Sequence, residues 1–133
     1  MVGILEALYV LGEVDRAASF YPLVKGLAED RPVVVGLDGR LLQARAGMAA
    51  AAGERWDAAE GHYLTALRQA EELPNPIEQA EVRRFHARML LDRDGPGDRG
   101  RAQDLLKTAV ESYRGIGMPK HAEMAESLLR EAG

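Results

Sequence analysis

Gly53-Glu54-Arg55-Trp56-Asp57-Ala58-Ala59-Glu60, followed by Tyr63, Ala66 and Leu67, carries the strongest structural pattern in the chain. A glycine turn leads into a charged pair. An aromatic residue comes next, and then a small alanine, a large residue one turn later and a second small residue one turn after that. Positions three and four apart share one face of a helix, so this is a helix with one closely packed side. Alanine at a helix crossing lets two backbones approach, and the bulky neighbour a turn away fills the remaining gap.

The same outline occurs twice more. Upstream it reads Gly12-Glu13-Val14-Asp15-Arg16-Ala17, then Tyr21 and Val24. Downstream it reads Gly97-Asp98-Arg99-Gly100-Arg101-Ala102, then Leu106, Ala109 and Val110. The anchor alanines Ala17, Ala59 and Ala102 are 42 and 43 residues apart. Hydrophobic spacing and Gly/Pro punctuation predict helices over 1–11, 14–29 with a kink at Pro22, 37–52, 56–73, 77–91, 101–113 and 119–131. A loop is expected over 92–100. Val33-Val34-Val35 has β-branched side chains but no partner strand, so it reads as an extended or early helical entry to the next element. The predicted core is Trp56, Ala59, Tyr63, Ala66, Leu67, Leu90, Leu105, Leu106 and Ala109.

Composition agrees. The 133 residues include 21 Ala and 17 Leu but only 3 Ser, 2 Thr and 1 Asn, a mixture that favours helix over turn and strand. The absence of Cys excludes disulfides and thiolate chemistry. A net charge of -4 gives no general attraction to nucleic acid or an anionic membrane. No apolar run approaches the ~20 residues of a membrane span, and the first residues lack the basic and apolar regions of a secretory signal. A cytoplasmic location is expected.

The three phased segments resemble the tetratricopeptide repeat, a helix-turn-helix unit of about 34 residues, and their longer spacing is similar to its extended form. Gly47 falls at the small position of the first helix of the second unit. Trp56, Ala59, Tyr63 and Ala66 follow the pattern in its second helix. The third unit keeps Ala87, Ala102, Leu106 and Ala109. The first keeps Leu5, Ala17 and Tyr21, with Val24 where the family prefers Ala. The resemblance implies an all-α fold, an α-α superhelix or solenoid of about three helix-turn-helix units. These would span 1–30, 33–73 and 77–114, with a capping helix at 118–132, in a single domain 1–133. The succession of Tyr21-Pro22-Leu23-Val24, Val33-Val34-Val35-Gly36, the segment from Gly53 to Glu60, Met89-Leu90-Leu91 with Gly95-Pro96-Gly97-Asp98-Arg99, and Gly115-Ile116-Gly117-Met118 resembles the carboxy-terminal arrays of large bacterial signalling ATPases. These include LuxR-like transcription activators and some class III adenylate cyclases. By that resemblance the segment is a non-enzymatic sensing or protein-contact platform of a bacterial regulator.

Catalytic patterns fail on their chemistry. Gly95 to Ala102 has the glycine spacing of a phosphate loop, but Arg101 and Ala102 stand where Lys and Ser or Thr are required. Asp92, Asp94 and Asp98 lack the bidentate Glu of a calcium loop, whose place is held by Gln103. His62, His86 and His121 have no metal-ligand spacing. No catalytic residue, metal or cofactor is therefore expected.

In stacked helix pairs the first helices line the concave face. That register places Arg45, Met48, Glu81, Arg84 and Arg88 in a groove. Arg84 and Arg88 share a helix face, and guanidinium groups bind carboxylates in a bidentate fork, so the expected partner is a protein or acidic peptide. The carboxylate-clamp Lys and Asn pattern of the family is absent. Val2, Ile4, Leu5, Leu8 and Leu11 would lack a covering repeat, which points either to the carboxy-terminal piece of a longer array or to self-association through the first helix. The alternatives are an oligomerisation or structural segment with no groove ligand, and a small-molecule effector sensor.

Overall fold

A sequence this rich in alanine and leucine, and this poor in Ser, Thr and Asn, favours helix. The computed structural model, which describes residues 2–30 and 41–133, is all-α. Its helices are α1 (Val2–Val10), α2 (Val14–Ser19), α3 (Tyr21–Asp30), α4 (Leu42–Ala52), α5 (Trp56–Glu72), α6 (Pro76–Arg93), α7 (Asp98–Ile116) and α8 (Pro119–Ala132). They fall into two compact units, Met1–Gln69 and Ala70–Gly133. None of the described helices is long and apolar enough to cross a membrane.

Two boundaries differ from the sequence expectation. The helix expected over 14–29 is two helices, α2 and α3, rather than one with a kink. Phe20 closes α2, and Pro22 stands in the first turn of α3, where a missing backbone N–H costs nothing. The loop expected over 92–100 is shorter, because α7 already begins at Asp98. The Asp98 carboxylate accepts from the Gly95 backbone N–H at 2.9 Å, which fastens the turn to the start of the helix. The expectations for 33–35 and for a helix beginning at 37 lie outside the described residues.

In the first unit, α4 is the central element and packs on α1, α2 and α3. From Leu42 to Ala51 nearly every residue is buried, which its run of alanines permits. Helix α5 approaches α4 at Gly47. A Cβ there would stand 2.8 Å from the Tyr63 ring, so only glycine admits the ring. In the second unit, α7 packs on both α6 and α8. Asn75 caps α6 by accepting from the Glu78 N–H at 3.1 Å, and Pro76 follows in the first turn.

The three phased segments are buried alike. Ala17, Ala59 and Ala102 are all fully covered, and so are Tyr63, Ala66, Leu106 and Ala109, with Tyr21 and Val24 nearly so. The turn backbone repeats fully in the first two turns, where the Glu13 and Arg55 N–H groups each reach back five residues at 2.9 Å. In the third, the left-handed cap of α6 is Asp94, with φ of 49°, and Gly97 caps the start of α7. Gly12, Glu54 and Gly97, each five residues before its anchor alanine, have positive φ of 80°, 57° and 80°. Gly53, the glycine aligned from sequence, has φ of -89°, so the left-handed position in the second turn belongs to Glu54.

Among the predicted core residues, Ala59, Tyr63, Ala66, Leu90, Leu106 and Ala109 are buried. Trp56, Leu67 and Leu105 are only partly covered. Trp56 opens α5, where no preceding turn of its own helix flanks the indole. Of the amino-terminal residues expected to be uncovered, the side chains of Val2 and Ile4 lie outside the described residues. Leu5 and Leu8 are buried, with α1 packed on α2 and α4, whereas Leu11 is 77% exposed.

Candidate functional site

Several polar side chains inside each unit meet partners on neighbouring helices. In the first unit, Arg45 of α4 is 1% exposed and forms an ion pair with Glu6 of α1. Met48, one turn further along α4, is equally buried. The groove exposure expected of both residues is therefore not seen, because the helix face that carries them is packed. In the same unit, His62 of α5 bridges two helices. Its Nδ1 lies 2.7 Å from Gln43 Oε1 and its Nε2 lies 3.2 Å from the Tyr21 hydroxyl. With Nδ1 donating to the amide oxygen, Nε2 accepts from the phenol. The Arg55 guanidinium lies 5.1 Å from the centroid of the same Tyr21 ring.

In the second unit, Glu81 of α6 is buried and accepts from the Tyr113 hydroxyl of α7 at 2.5 Å. Arg84 closes this arrangement. Its Nη2 donates to the two Glu81 oxygens at 3.3 and 3.2 Å, and its Nε donates to the Tyr113 hydroxyl oxygen at 3.1 Å. From α8, His121 Nε2 stands 3.9 Å from Glu81 Oε1, and its ring is tilted against Tyr113 at 5.5 Å between centroids. Burial pushes the Tyr113 phenol well above its ordinary value, and the Glu81 carboxylate adds to that shift. Burial works against the Arg84 charge, but Glu81 and Tyr113 more than offset it, so that group is also raised. Glu81 and Arg84, expected in a ligand groove, are thus drawn together around a tyrosine.

Arg88 differs from the other four groove candidates. Its side chain is 38% exposed and contacts Asp92 on its own helix and Glu131 on α8. The remaining loop acids are also paired. Asp98 receives a two-pronged contact from Arg93 at 2.7 and 2.8 Å, and Asp94 receives Arg99 at 3.1 Å. The Arg93 hydrogen bonds hold the Asp98 carboxyl below the ordinary range, against the opposing effect of burial. Among the described residues no three His, Asp or Glu side chains gather as a metal site requires.

Of the five groove candidates, the structure brings Glu81 and Arg84 into contact within the second unit and leaves Arg88 at the surface. Sequence reasoning missed Tyr113, His121, Glu6 and the bridging role of His62. Tyr113 had a readable signal, since it lies on the same α7 face as Ala102, Leu106 and Ala109. No family model, curated protein or solved structure matches the chain.

Proposed function

We propose that this is a non-enzymatic protein-interaction module, a tetratricopeptide-like α-α superhelix serving a bacterial signalling or transcription regulator in the cytoplasm. The observation that carries the reading is the threefold agreement in side-chain burial at one spacing, with a positive-φ residue at the same offset in each turn. A left-handed turn residue, a buried alanine five positions later, and buried residues one and two turns beyond it recur around Ala17, Ala59 and Ala102. Such recurrence is what stacked helix pairs would produce and so supports the reading, and arrays of this kind act by presenting surface to other proteins.

Arg88 is the groove candidate best placed to meet a partner. Its guanidinium is at the surface and already engages carboxylates, so an acidic protein segment is the matching chemistry. The internal pairing of Arg45 and Arg84 favours a second reading, an oligomerisation or structural segment with no ligand.

The two readings separate in a quantitative pull-down with wild type and Arg88→Glu as baits. Retention of one protein by the wild type, with its loss from Arg88→Glu, supports the interaction reading. Identical bound sets refute the role of Arg88, and a concentration-dependent rise in mass by analytical ultracentrifugation favours the second reading. Arg84→Glu is unsuitable as a bait because it would set a second carboxylate against buried Glu81.

A further inference from the structure

We draw no further inference here: the strongest candidate, the exposed apolar surface patch of Val10, Leu11 and Val14 at the turn from α1 into α2, carries nothing, because nothing in the structure shows what covers it.

Discussion

Arg45 and Arg88 occupy the same place in the repeating pattern, each 14 residues before an anchor alanine, yet one is core and the other is surface. Arg45 is 1% exposed and paired with Glu6 on α1, whereas Arg88 is 38% exposed and shared between Asp92 and Glu131. The difference lies in what covers each first helix. Helix α1 packs on α4 and supplies a carboxylate where the arginine is buried. Register therefore fixes which face an arginine is on, and the neighbouring element fixes whether its charge is available. The comparison predicts a large asymmetry. Arg45→Ala should cost about 3 kcal/mol, since it empties a fully buried site and leaves the partly covered Glu6 carboxylate without its ion partner. Arg88→Ala should cost under about 1 kcal/mol, as exposed pairs do. Chemical denaturation measures both, and equal losses would break the comparison.

The two tyrosine contacts sharpen it. Tyr113→Phe leaves buried Glu81 without its closest donor and should cost about 2 kcal/mol. Tyr21→Phe removes a longer contact to the partly covered His62 and should cost about 1 kcal/mol or less. Alkaline titration adds a sign. The folded Tyr113 phenol is raised above its ordinary value of 10.0, so its contribution is complete below that pH and is lost as the pH rises through the folded value. Absorbance at phenolate wavelengths should show Tyr113 ionising only with unfolding, and Tyr113→Phe should flatten the loss of stability at high pH. An unchanged alkaline profile would show that the phenol is not buried as described.

Asp98 supplies the opposite sign at the other end of the pH scale. Its folded value is depressed, so its contribution is complete above the ordinary 3.8 and disappears as the pH falls through the lower folded value. The stability difference between wild type and Asp98→Asn should therefore be constant near neutrality and shrink in acid. A difference that persists undiminished into strong acid would place the stabilisation in the turn geometry and not in the charge.

Much of the helical layout was readable before any coordinates, because 3.6-residue periodicity reports which face of a helix is packed. The pattern predicts Ala59, Tyr63, Ala66, Leu106 and Ala109 as core and they are buried, whereas Trp56, Leu67 and Leu105 from the same prediction are only partly covered. What periodicity does not report is the partner. Glu81 and Tyr113 are 32 residues apart, and nothing local in either segment announces the hydrogen bond between them. For the same reason Arg45 and Arg84 read as surface cations, although each is neutralised by a carboxylate of its own unit. The Pro22 boundary was visible as a perturbation. Its outcome, a new helix start, depended on Phe20 closing the turn before it.

The smallest effect tests the backbone side of the repeat. After α7, Gly117 takes φ of 88° and the Met118 N–H reaches back to the Tyr113 carbonyl at 2.8 Å. After α4, the Arg55 N–H makes the same reach to the Ala50 carbonyl at 2.9 Å. In that turn, however, the left-handed position holds Glu54, with φ of 57°. A side chain there crowds its own backbone, and glycine removes the crowding while adding freedom to the unfolded chain. The two effects oppose each other, with relief of the left-handed strain the larger, so Glu54→Gly should raise stability by about 0.5 kcal/mol. Gly12→Ala, at the corresponding position of the first turn, should lower it by about 1 kcal/mol, because it introduces the strain that Glu54 already bears. Opposite shifts in melting temperature for these two substitutions would establish that the turns are equivalent in energy as well as in spacing. Shifts of the same sign would show that the likeness between them ends at the dihedral angles.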